Sequence, residues 1–76
     1  MGKTKQAEEK PALTPRERQT VQLVWAGHTN ALIGAKLKVS VKTVEAHRSS
    51  VMKKWRTNNT AQMLRVAMQE KILEPA

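Results

Sequence analysis

Seventy-six residues allow one small domain, and the absence of cysteine excludes a disulfide framework and cysteine-based zinc sites. A net charge of +8, from 14 Lys and Arg against 6 Asp and Glu, indicates a polyanionic partner. No apolar run approaches the ~18 residues of a membrane span. We therefore expect a cytoplasmic protein with an aliphatic core, since Trp25 and Trp55 are the only aromatic residues.

The chain changes character at Leu13. Residues 1–12 carry almost no apolar side chain and show no periodicity, which is typical of a disordered arm or an interdomain linker. From Leu13 onward, apolar residues recur at helical spacing. We expect one helical domain over residues 13–74, followed by a short tail at residues 75–76.

The first helix is predicted from its start and stop signals. Thr14 can cap the helix, Pro15 suits its first position, and Glu17 completes a capping box. Gly27 is the expected stop, because glycine adopts a positive φ without steric cost. The apolar side chains of this helix are Val21, Leu23, Val24 and Trp25.

Two further helices follow, joined by a tight turn. Thr29 is the expected cap of the second, at about residues 30–37, in which Ile33 and Leu37 lie one turn apart and face inward. Ser40 is the expected cap of the third, at about residues 41–55. A short helix, a tight turn and a longer basic helix are the ingredients of a helix-turn-helix.

The third helix has two different faces. Val44, Val51 and Trp55 fall on one inward stripe. The opposite face is small, polar and basic, whereas a solvated helix would more usually interleave Glu and Lys at i, i+4. Such a face suits the major groove of B-DNA, because small side chains let the helix backbone come close. This outer face comprises Lys42, Glu45, Ala46, Ser49 and Lys53.

A fourth helix is expected at about residues 60–73, with Asn59 and Gln62 as a weak capping box. Three further apolar residues widen its apolar arc beyond one core stripe. Either the small domain wraps its last helix, or the extra arc is a surface for a partner helix. The expected core stripe is Leu64, Ala67, Met68 and Ile72. The extra arc is Met63, Val66 and Leu73.

Two motifs in order carry a family resemblance. The sequence LTPRER from Leu13, with Gly27, precedes SVKTVEAHR from Ser40. Together they resemble the LuxR/FixJ/NarL-type DNA-binding domain, and the TVEAHR wording resembles its FixJ-like branch. That resemblance implies an all-α, compact four-helix bundle containing a helix-turn-helix. It also implies a C-terminal output domain of a two-component response regulator, with the third helix in the major groove and dimerisation through the fourth.

The resemblance also implies a set of contact residues. Glu45 is suited to accept from a cytosine amino group and Ala46 to touch a thymine methyl. The positions that match base contacts are Glu45, Ala46, Arg48 and Ser49. The positions that match phosphate contacts are Thr29, Asn30, Lys42, Thr43, His47 and Lys53. The positions for a dimer interface on the fourth helix are Met63, Val66 and Leu73.

The sequence departs from the family pattern at three places. Leu32 stands where the family often has Glu. Lys38 occupies a turn position usually given to glycine or another residue tolerant of positive φ. Trp55-Arg56 replaces a common Leu-Gly, so Trp55 is expected to fill a leucine site by repacking.

Two alternative interpretations use the same features. One is a non-specific nucleic-acid binder driven by charge; the other is a helix-turn-helix module that docks onto RNA polymerase. A membrane-surface role is less favoured, because the basic residues share no helix with a broad apolar face. No catalytic set, metal spacing, cofactor motif or small-molecule site stands out, and His28 and His47 lack a ligand spacing. The expected partners are an operator duplex, a second copy on DNA and RNA polymerase.

Overall fold

The structure is a computed structural model that describes residues 12–73. Four helices and no strand occur in this range, which confirms the all-α prediction: α1 (Pro15–Trp25), α2 (Asn30–Leu37), α3 (Val41–Lys54) and α4 (Thr60–Gln69). None of these helices is long and apolar enough to cross a membrane. The predictions for the arm, apart from Ala12, and for the tail lie outside the described residues.

Each helix begins at the side-chain cap that the sequence predicts. Thr14, Thr29, Ser40 and Asn59 each accept a hydrogen bond from the backbone N–H three residues on. Each such cap stabilises a helix by about 1 kcal/mol. At α4 the box is only half formed, because the Gln62 side chain accepts from Asn58 N rather than from the cap residue.

The core consists of two apolar clusters that meet along α1. In the first, Val21, Val51 and Trp55 pack with residues of α4 and the segment after it. In the second, Ile33, Leu37 and Val44 hold α2 against α3. Trp55 is only 5% exposed, so it is a core residue as expected.

The turn between α2 and α3 is tight. Lys38 lies in the left-handed region, with φ 61° and ψ 43°, at the position where the sequence pattern calls for a residue tolerant of positive φ. Val39 N donates to Gly34 O at 2.9 Å. A Cβ on Gly34 would lie 2.7 Å from Val39 O, so the chain can only turn this closely over glycine.

The predicted length of α4 was wrong, and its predicted core stripe was right only in part, because Ala67 and Ile72 are buried but Met68 is not. The helix ends at Gln69 rather than near residue 73, because Lys71 takes a left-handed φ of 59° and turns the chain back toward the core. Met63 and Leu73, assigned above to a partner surface, are buried at 0% and 8% exposure. Met68, assigned to the core, is 51% exposed, because it lies about 140° around the helix from Met63.

Candidate nucleic-acid interface

The outer face of α3 is exposed and points away from the core. Val44 and Val51 are fully buried on the opposite side, and this fixes the rotation of the helix about its axis. The five side chains predicted for the outer face then all lie exposed, as the helical period requires. They are Lys42, Glu45, Ala46, Ser49 and Lys53.

The charge of this face is not neutralised by the protein. Within residues 12–73 a single ion pair forms, between Lys54 and Glu17, and it lies away from the outer face. The side chains of Lys42 and Lys53 make no hydrogen bond or ion pair with any described residue. Their ammonium groups therefore remain available to a polyanion.

The first turn of α3 is held by a pair of hydroxyl groups. Ser40 Oγ accepts from Thr43 N at 3.1 Å and donates to Thr43 Oγ1 at 3.0 Å. Because the Thr43 oxygen already accepts this bond, its own O–H is left to donate. His47 is half-buried farther along α3 and makes no side-chain hydrogen bond within the described range.

The N-terminus of α2 carries the other predicted phosphate contacts. Thr29 Oγ1 accepts from Leu32 N at 3.2 Å, and Asn30 is the first helical residue. The leading N–H groups of a helix and its dipole favour an anion at this end. We refer to Thr29 and Asn30 as the backbone seat.

Arg48 connects this seat to the rest of the domain and lies apart from the other predicted base-contact residues. Its Nη1 donates to Asn30 Oδ1 at 2.8 Å, and its Nη2 donates to Thr60 Oγ1 at 2.6 Å. Arg48 is half-buried, whereas Glu45, Ala46 and Ser49 are exposed. The structure therefore brings three of the four predicted base contacts onto one face and places the Arg48 guanidinium at the first turns of α2 and α4.

A buried ionic group under α3 was missed from the sequence. Glu17 is 5% exposed and accepts from Lys54 Nζ at 2.7 Å, Ser50 Oγ at 2.6 Å and Thr14 N at 2.9 Å. Burial alone would raise the pKa of Glu17, but the bonds from Lys54 and Ser50, the backbone bond and the Lys54 charge outweigh it and lower the pKa to about 2. The sequence feature that could have indicated this group is the i, i+4 spacing of Ser50 and Lys54 beside the buried stripe of α3.

The exposed apolar residues of α4 lie elsewhere than predicted. Ala61 and Met68 are exposed and Leu64 is half-buried. Their spacing of three and four residues puts them on one side of the helix. We call Ala61, Leu64 and Met68 the α4 edge.

A short helix, a left-handed turn and an exposed basic helix on a small helical core define a helix-turn-helix DNA-binding domain. A family described as GerE, bacterial regulatory proteins of the luxR family, matches residues 11–67, and the chain belongs to this luxR family. It is a DNA-binding domain of the type that response regulators carry, and it serves transcription regulation rather than catalysis.

Two bacterial regulatory proteins illustrate the relationship in sequence. The chain is 37% identical over 62 residues to the transcriptional regulatory protein FixJ of Bradyrhizobium diazoefficiens. It is also 37% identical over 62 residues to the oxygen regulatory protein NreC of Staphylococcus carnosus. Each match covers 82% of this chain, but only 30% of FixJ and 29% of NreC. The chain thus spans less than a third of the length of these relatives.

Two solved structures share the fold. The transcription factor GerE superposes with a TM-score of 0.79 at 31% identity, over 82% of this chain and 92% of GerE. The response regulator ChrA of a heme-sensing two-component system superposes with a TM-score of 0.77 at 26% identity, over 91% of this chain and 34% of ChrA. The four helices therefore correspond to a complete domain in one protein and to part of a larger chain in the other.

Proposed function

We propose that this domain recognises a specific double-stranded operator by laying α3 in the major groove. The observation that carries the proposal is the outer face of α3, which is exposed, cationic and unpaired within the described residues. Its small residues Ala46 and Ser49 let the helix approach the base edges. The family match supports DNA binding, and the geometry of the face supports this particular docking.

The contacts divide into two classes. Lys42, Lys53, Thr43 and His47 on α3, with the backbone seat on α2, contact phosphates and supply most of the affinity. Glu45, Ala46 and Ser49 contact base edges and supply the selectivity. Arg48 moves out of the base-reading set in this proposal, because its guanidinium is occupied by Asn30 and Thr60.

Dimerisation on DNA is the second part of the proposal. The α4 edge, rather than the buried Met63 and Leu73, is the apolar surface of this helix that faces outward. Val66 is half-buried and packs on the first core cluster, as Leu64 does, but it lies about 200° around the helix from Leu64 and therefore off this edge. A second copy bound to an adjacent half-site would bury the α4 edge against its own counterpart, as a two-fold interface requires.

The setting of the domain follows from its relatives. FixJ and NreC are named as regulatory proteins, and ChrA is a response regulator of a two-component system. We infer that this domain is the C-terminal output part of such a cytoplasmic regulator. RNA polymerase is then a further partner, reached once the operator is bound.

The test is a selection of binding sites from random duplexes, followed by anisotropy titration of the winner and of a scrambled control at two salt concentrations. We expect one recurring site, as two related half-sites, bound at least about a thousandfold more tightly than the scramble. Equal, salt-sensitive binding to every duplex would leave only a non-specific electrostatic binder. Weak binding to all DNA with tight binding to polymerase would favour a protein-docking module instead.

A further inference from the structure

We propose that Arg48 is a positioning residue, which orients the Asn30 amide so that its N–H donors face a DNA phosphate. Arg48 itself then reads no base. The inference deepens the proposed function, because it rests on the backbone seat at the start of α2 being a phosphate contact. The two groups involved are the Asn30 side-chain amide and the Arg48 guanidinium that orients it.

The guanidinium is held at two points that come from different parts of the chain. Asn30 opens α2 and lies 18 positions before Arg48, and Thr60 opens α4 and lies 12 positions after it. Bonds of 2.8 and 2.6 Å to these two acceptors, through two different nitrogens, restrain both the position and the plane of the group. A side chain restrained in this way is poorly placed to reach out to a base edge.

The hydrogen bond from Arg48 determines which end of the Asn30 side-chain amide remains free to bind another group. A guanidinium has donors only, so it selects the amide oxygen and turns the NH₂ group the other way. The Asn30 Nδ2 donors make no hydrogen bond within residues 12–73. No buried side-chain nitrogen or oxygen in this range is without a partner, so Nδ2 is open to solvent.

The orientation matters because phosphate accepts hydrogen bonds and repels other acceptors. With the amide reversed, the carbonyl oxygen would face the phosphate and two sets of N–H donors would face each other at Arg48. With Arg48 in place, the Nδ2 donors lie at the same helix end as the leading N–H groups of α2, where an anion is favoured. Arg48 thus supports the affinity for the sugar-phosphate backbone without touching a base.

The experiment compares variants of Asn30, Arg48 and Thr60 with the wild type on a mixed-sequence duplex of about 20 base pairs at low salt, where phosphate contacts alone suffice for binding. Asn30→Asp keeps the oxygen that Arg48 needs but removes both donors, so we expect binding about tenfold weaker. Because an acid at a first helical position is favourable, its Tm should stay at or above that of the wild type. Because the new carboxylate also repels phosphate, the loss is compared with that of Asn30→Ala, which removes the donors without adding a charge and should weaken binding to a similar extent.

Arg48→Met tests the positioning step. It should also weaken binding about tenfold, and combining it with Asn30→Ala should add little, because both changes disable one contact. Arg48→Lys, which keeps the charge but loses the two-point geometry, provides a second variant if the methionine variant unfolds. Thr60→Val removes only the second restraint on the guanidinium and keeps the bond to Asn30, so it should weaken binding less than Arg48→Met does.

Three outcomes would overturn the inference. One is a loss of DNA affinity in Arg48→Met that depends on the identity of a single base pair among duplexes of different sequence, because this would identify Arg48 as a base-contact residue. Another is that the losses of binding free energy caused by Arg48→Met and by Asn30→Ala add up fully in the double variant. The third is unchanged binding in Asn30→Asp while Lys42→Ala weakens it, which leaves the proposed function intact. Failure of the wild type to bind any duplex would instead overturn the proposed function as well.

Discussion

Lys54 Nζ lies 2.7 Å from Glu17 Oε1 and ties the last turn of α3 to the first turn of α1. The same ammonium donates to Ala12 O at 3.3 Å, and Ser50, one turn earlier on α3, donates to the other Glu17 oxygen at 2.6 Å. Because the carboxylate is buried, its partners must stay in place for it to remain charged. The group therefore fixes α3 against α1 along the flank of α3 that lies between the outer face and the buried stripe.

The low pKa of Glu17 predicts a pH dependence of folding. Its folded pKa of about 2 is below the unfolded value of 4.5, so the stabilisation is fully present above pH 4.5 and is lost as the pH falls toward 2. The shift corresponds to about 3 kcal/mol. Urea unfolding of the wild type should show this loss in that window.

Glu17→Gln is the control for that prediction. The glutamine variant should be less stable than the wild type by about 3 kcal/mol near pH 7, and the difference should shrink toward zero near pH 2. Lys54→Met should lower stability as well, by leaving the buried carboxylate without its cation. A constant difference between wild type and Glu17→Gln across the window would contradict the assignment.

Lys38→Gly should stabilise the domain. Lys38 takes φ 61°, where a residue with a Cβ is strained and glycine is not. Part of the gain is offset by the extra freedom of glycine in the unfolded chain, so we expect about 0.5–1 kcal/mol and a Tm raised by roughly 4 °C. Thermal unfolding followed by circular dichroism measures this. Ala35→Gly, at an exposed helical position nearby, should instead destabilise by about 1 kcal/mol.

Gly34→Ala should destabilise the domain although alanine favours a helix. The new Cβ would meet the backbone oxygen of Val39 at 2.7 Å, and a backbone atom cannot move aside cheaply. We expect a net cost of about 1–3 kcal/mol, with the turn between α2 and α3 displaced. The same thermal measurement applies, and a rise in Tm, as helix propensity alone would give, would show that this turn can relax.

The sequence is most informative where a local rule acts alone. The four caps and the exposure of the α3 outer face follow from a few neighbouring residues and the helical period, whereas the left-handed turn at Lys38 is indicated only by the family resemblance. Which side of α4 faces the core could not be predicted in this way. The burial of Met63 and the exposure of Met68 depend on where α1 and α3 pack against the helix. Likewise, the Glu17–Lys54 pair and the Arg48 bonds join residues distant in sequence.

A charge placed on the α4 edge should prevent two copies of the domain from binding DNA cooperatively. Met68→Glu should leave the fold intact, because Met68 is 51% exposed, and should abolish cooperative binding to a duplex with two half-sites. Gln69→Glu, which adds the same charge at the next exposed position, is the matched control and should retain cooperativity. Sedimentation should show the free domain as a monomer. A tight dimer at micromolar concentration without DNA would contradict this arrangement.

The two contact classes on α3 should respond differently to mutation. Lys42→Ala should weaken binding to every duplex and reduce the slope of log affinity against log salt by about one unit, because one phosphate contact is lost. Glu45→Ala should relax the preference at one base pair by about 1–3 kcal/mol, leaving the salt slope nearly unchanged. Anisotropy titration of the selected site and its single-base variants distinguishes them. If Glu45→Ala acted equally on all sequences, its carboxylate would be tuning the charge of the outer face rather than reading a base.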